Sequence, residues 1–208
     1  MKKLLINLFI FPAITFAGFN ATINQITPQI KTRMIKGNSY RASCPIALKD
    51  LRYIKLNYIG FDNKEHTGEL IVNKSISKDI VSIFKKLYEN RYPIKQMRLV
   101  SDFSGSDFKS IEADNTSAFN CRYVDGTNKW SNHTYGKAID INPIENPYVS
   151  NSGHTSHKRS YPFVKRNHNI TQAVMLKSDY IVKLFKAYGF RWGGDWRCCK
   201  DYQHFDKK

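Results

Sequence analysis

The sequence predicts an α+β domain built on an antiparallel sheet, and three observations carry that prediction. "LRYIKLNYIGF" and "TGELIVN", beginning at Leu51 and Thr67, flank the turn-rich "DNKEH" and read as a β-hairpin. "SISKDIVSIFKKLYENRY" follows, with Ile76, Ile80, Ile83, Phe84, Leu87 and Tyr88 on one helical face. Beyond it, strand and helix signals intermix without the regular alternation of a parallel βαβ protein. A single domain is expected, with helices packed on its sheet.

The elements follow in order. "MKKLLINLFIFPAITFAGFNA" opens with two lysines, then an apolar run from Leu4 to Phe16, with Thr15 and Ala17 suiting a small-residue cleavage site. Residues 1–17 are expected to be a secretory signal peptide. The run falls short of the about 20 apolar residues that a comfortable membrane span needs, and Pro12 interrupts it. No stable span is expected after cleavage. Residues 18–45 show no clear periodicity and are expected to form an extended segment on the surface, leaving 46–208 as the main domain. Pro93 ends the amphipathic helix, and "IKQMRLV" reads as a strand, "SDFKSIEA" as a short helix and "FNCRYV" as a strand. "KAIDIN" alternates so that Ala138, Asp140 and Asn142 share a face. A connection from Pro143 to about Ile170, rich in Asn, Ser, His and Pro, has the length of a functional or mobile loop. Ser178 is expected to cap the helix "DYIVKLFKAY", which Gly189 stops.

The formal charge of +16 seeks anions. In an intracellular protein that balance points first to nucleic acid, but an exported chain meets cell-wall polymers and anionic lipid instead. The lysines are spread without a basic run, so a solvated basic surface reads as well as a dedicated patch, and no nucleic acid is expected. Export also favours disulfides among the four cysteines. Cys44 with Cys121 is the expected pair. Adjacent Cys198 and Cys199 rarely bond each other and lack the two-residue gap of zinc knuckles, which leaves them free, bridged elsewhere or on a metal.

Two short segments concentrate the chemistry. "SNHTYGKAIDIN" holds His133 and Asp140, and "DYQHF" holds Asp201 and His204. Zinc takes imidazole nitrogen and carboxylate oxygen, and a catalytic zinc keeps three protein ligands and one open position. His133, Asp140 and His204 fit as ligands on the sheet, with Asp201 as the general base that takes a proton from the attacking water.

"SNHTYGKAID" matches the S-x-H-x-x-G-x-A-x-D signature of zinc D-alanyl-D-alanine carboxypeptidases and related L-alanyl-D-glutamate endopeptidases, which cut peptidoglycan stem peptides. "WGGDWRCCKDYQHF" resembles that family's second motif, and "DNTSAFNCR", Asp114 to Arg122, resembles a segment upstream of the signature. The resemblance implies zinc on His133, Asp140 and His204, catalysis by Asp201, and an oxyanion role for Arg122. It further implies that Ser131 binds substrate and that Trp192 and Asp195 shape the site or support a ligand. Asp201 stands where many members place glutamate, which leans toward the endopeptidase branch. Asp206, two residues after His204, is a minor rival for the base, and Cys198 and Cys199 depart from the pattern.

The resulting expectation is an exported, monomeric zinc peptidase acting on stem peptides. The alternative is a non-catalytic zinc-containing module that binds the wall or a partner; a basic nucleic-acid binder or nuclease rests on charge alone. Trp192 and Trp196 are expected to pack rather than to touch substrate, His154, His157 and His168 to be exposed, and His66 and Glu69 to lie on a solvated strand face.

Overall fold

A computed structural model describes residues 18–169 and 171–208. The expected signal peptide lies outside the described residues. Among those residues no helix is long and apolar enough to cross a membrane.

The segment 18–45 is more regular than its sequence suggests. It forms β1 (Ala21–Asn24) and α1 (Pro28–Lys36), joined to the fold by pairing of β1 with the next strand and by burial of Met34. The helix starts where Thr27 accepts a hydrogen bond from the Ile30 amide (3.3 Å) and Pro28 occupies the first turn, a start signal legible in "TP". The hairpin follows as β2 (Leu51–Gly60) and β3 (Glu65–Asn73), paired from Leu51 with Asn73 to Ile59 with Glu65. Its turn is tighter than "DNKEH" and places Asn63 at φ 60°, a conformation that short polar side chains tolerate.

Next, α2 (Ser77–Glu89) lays Ile80, Ile83, Phe84 and Leu87 on Ile54, Leu56, Leu70 and Val72. Each such side chain contributes about 1.5–3 kcal/mol when fully buried. "IKQMRLV" is not one strand. It breaks into β4 (Pro93–Ile94), parallel to β2, and β5 (Gln96–Met97), because side-chain amides take the N–H groups between and just after them: Lys95 donates to Asn142 (3.0 Å) and Arg98 to Asn115 (2.8 Å). Ser106 caps α3 (Asp107–Glu112), and β6 (Asn115–Thr116) pairs with β5.

"FNCRYV" is not a strand either. Its amides are divided among three partners, Phe119 donating to Ile71, Asn120 to His133 and Cys121 to Ser39, so no ladder forms. The chain continues as β7 (Ala138–Asp140), β8 (Tyr148–Val149), α4 (Tyr161–Val164), α5 (Tyr180–Ala187), β9 (Arg191–Trp192), β10 (Lys200–Asp201) and β11 (His204–Asp206). Asp179, rather than Ser178, occupies the N-cap of α5, and Gly189 ends that helix region at φ 81°.

The α+β reading with mainly antiparallel pairing holds, although the strands divide among several sheets. β11 is the centre of an antiparallel β7-β11-β9 sheet, and Phe205 and Ile139 share one buried cluster with α2, α5 and the hairpin. A smaller cluster around Met34, Leu51 and Phe119 includes Cys121, which is bonded to Cys44 with Cα atoms 6.0 Å apart. That is the expected pairing.

Candidate metal centre

Register builds the site. His204 and Asp140 are directly opposite each other on β11 and β7, which puts their side chains in reach across the sheet. His133 arrives on a single 3-10 turn, Asn132–Tyr135, that packs just before β7. Ser131 caps this turn by accepting from the His133 amide (3.3 Å). Gly136 ends it at φ 64°, where a β-carbon would press on the Asn73 amide, so the motif's glycine is a backbone requirement.

Three ligand atoms converge. His133 Nε2 lies 3.1 Å from Asp140 Oδ2, His204 Nδ1 lies 3.0 Å from Asp140 Oδ1, and the two imidazole nitrogens are 3.2 Å apart. All three residues are buried. Donors held about 2.0–2.1 Å from a tetrahedral zinc stand ~3.3 Å from one another, so these contacts fit such an ion. His133 Nδ1 meets the Ala118 carbonyl at 2.5 Å, which fixes Nε2 as the nitrogen with a free lone pair.

The electrostatics agree. Burial pushes the Asp140 carboxyl up, but the imidazoles of His133 and His204 outweigh it and hold the acid well below the ordinary carboxylate range. Burial pushes His204 down, yet its hydrogen bond to Asp140 and the charges of Asp140, Asp201 and Asp206 win, raising it to about 9. The cluster therefore favours a positive charge between its three side chains.

The cluster opens on a cavity of about 550 Å³. Asp201 lines it from β10, which pairs with β8, and accepts from Gln203 (3.1 Å). Burial pushes its acid up to about 6, with His204 pulling down and Asp140 pushing up. Gly193 makes room for this strand, since a β-carbon there would overlap the Asp201 backbone. Arg122 also lines the cavity and pairs with Asp107 (2.8 Å). Ser131 is in the wall as well, with its hydroxyl engaged in the cap.

Trp192 and Asp195 do not line the cavity. The Trp192 indole is buried, donates to the Tyr202 carbonyl (2.9 Å) and packs near Phe205, while Asp195 pairs with Lys186 (2.5 Å) on the surface. Asp206 faces the cavity from the same strand face as His204, but its oxygens are taken by Arg191 and Asn132. His157, expected to be exposed, is buried in the wall and bound to Glu112 (2.6 Å), so part of the 143–170 connection is built into the site. His66 pairs with Asp62 and Glu69 with Arg33, both away from the cavity. Periodicity gave no sign of Asp107 or Tyr148 as wall residues, and Trp196 both packs edge-on to His204 and lines the cavity.

A buried His-Asp-His set beside an acid-lined cavity defines a candidate mononuclear metal centre. A family model described as D-alanyl-D-alanine carboxypeptidase matches residues 125–207. Both motifs with His133, Asp140, Asp201 and His204 lie inside that match, so the resemblance holds over this part of the chain, and the family implies a metallopeptidase. Arg122 and the segment "DNTSAFNCR" precede the matched residues. No solved structure matches the chain.

Proposed function

We propose that the protein is an exported zinc peptidase that hydrolyses peptide bonds in peptidoglycan stem peptides, of the D-Ala-D-Ala carboxypeptidase or L-Ala-D-Glu endopeptidase type. The observation that supports this most is the convergence of buried His133, Asp140 and His204 in the wall of a cavity that Asp201 and Arg122 also line. His133 Nε2, Asp140 and His204 Nδ1 would hold the ion. When bound, zinc supplies Lewis acidity, acidifying a water and polarising the scissile carbonyl. Asp201 accepts the proton of the attacking water and delivers it to the leaving amine. The Arg122 guanidinium, steadied by Asp107, offers a permanently charged fork to the oxyanion. Ser131 serves by holding the His133 turn. The Cys44–Cys121 disulfide and the basic, apolar leader support export.

The test is mass spectrometry of purified muropeptides incubated with the mature protein, with and without chelator, beside Asp201→Ala. Loss of a terminal alanine, or a cut between L-alanine and D-glutamate, is expected from the untreated protein only. Unchanged muropeptides from a protein that holds one zinc would overturn the peptidase and favour a wall-binding module.

A further inference from the structure

The chain has four cysteines, and the Cys44–Cys121 bond leaves Cys198 and Cys199 as its only thiols. Their sulfurs lie 2.9 Å apart, with Cys198 exposed and Cys199 half-buried. The short loop that carries them is pinned at both ends. Lys200 donates back to the Trp196 carbonyl (2.5 Å), the Trp196 amide donates to Gly193 (3.1 Å), and β10 begins at Lys200. Trp196 on one side and Asp201 on the other line the cavity, and Cys199 lies beside Tyr148 of β8, the strand paired with β10.

We propose that Cys198 and Cys199 are a reversible redox modification site that closes to a vicinal disulfide in the cavity rim. Its co-reactant is a disulfide, either of a small thiol such as glutathione or of a thiol oxidoreductase. The exposed Cys198 sulfur attacks that disulfide as the thiolate, forming a mixed disulfide and releasing one thiol. Cys199 then attacks the Cys198 sulfur and expels the second thiol. One S–S bond is made in the protein, one is broken in the reagent, and two electrons and two protons leave the cysteines with the released thiols.

Adjacent Cα atoms are about 3.8 Å apart, below the roughly 4.4 Å at which ordinary disulfides begin, so the closed ring is strained and readily reduced. Strained, exposed disulfides are the labile ones, whereas Cys44–Cys121 is the structural one. Closure replaces the Cys199 thiol beside the Tyr148 hydroxyl and tightens the loop between Trp196 and Asp201.

The test counts thiols and needs no substrate, so it does not depend on the peptidase reading. Full-length mature protein is equilibrated in glutathione buffers of rising oxidised fraction, trapped with a maleimide and digested for mass spectrometry. Both alkylated thiols should disappear together, leaving a 198–199 peptide lighter by two hydrogens, and Cys44–Cys121 should remain bonded throughout. Cys198→Ser and Cys199→Ser should each stop at a stable glutathione adduct. Two thiols that persist at every buffer ratio, a stable adduct on wild-type Cys198, or a cross-link between chains would each overturn the proposal.

Discussion

Asp140 and Glu145 lie a few residues apart and are equally withdrawn from water, each 6% exposed, yet the regions around them treat charge in opposite ways. Asp140 faces two imidazoles, which hold it ionised. Glu145 faces Asp114; burial and then that second carboxylate push its acid up to about 8, and burial pushes Asp114 up as well. Asp114 in turn accepts from the Ile144 amide (3.1 Å), tying the start of the long connection to the segment before β6. Burial alone therefore does not mark the functional acid. The sign of its neighbours does: one region is arranged to take a cation and the other to keep a proton.

Removing the cationic side should have the largest effect. His204→Ala or His133→Ala is expected to lose the ion and to lower turnover to that of chelated protein, a loss beyond the ~10–100-fold typical of outer-shell changes, checked by metal analysis beside muropeptide assays. Asp201→Asn should sharpen the comparison by sparing the ion: one metal per chain, with turnover down ~10²–10⁴-fold. Arg122→Ala should also keep the metal and lose roughly 10²–10³-fold, the cost of one oxyanion donor.

The smallest effect is on the other side. Glu145 is raised from 4.5 to about 8 in the folded protein, so between those values the folded state binds a proton that the unfolded chain has released. Stability then falls as pH rises through this window and is lowest above it. Glu145→Gln should flatten that slope and raise Tm at pH above 8, at about 2–4 °C per kcal/mol for a chain of this size. Equal pH slopes for wild type and variant in thermal melts would remove the acid pair from the comparison.

What could be read from sequence divides along the same physical line. The hairpin and α2 were legible because their apolar periods run for many residues, as Ile80, Ile83, Phe84 and Leu87 show. The candidate ligand cluster was legible because its motifs fix both residue type and spacing. The rest depends on single long-range bonds: Asn142 interrupts the strand at Lys95, the amides of Phe119 to Cys121 scatter among three partners, and Glu112 draws His157 into the wall. None of these leaves a periodic trace. Trp192 illustrates the converse, since a motif position predicts importance without telling the cavity from the packing layer behind it.

The most direct test of the central claim is X-ray absorption at the zinc edge on protein loaded with one equivalent of zinc. The account predicts only nitrogen and oxygen neighbours at about 2.0–2.1 Å, with scattering from two imidazoles that His204→Ala reduces. Sulfur neighbours at about 2.3 Å would contradict it, because they would place the metal on Cys198 and Cys199 and leave the His133, Asp140 and His204 cluster without its ion.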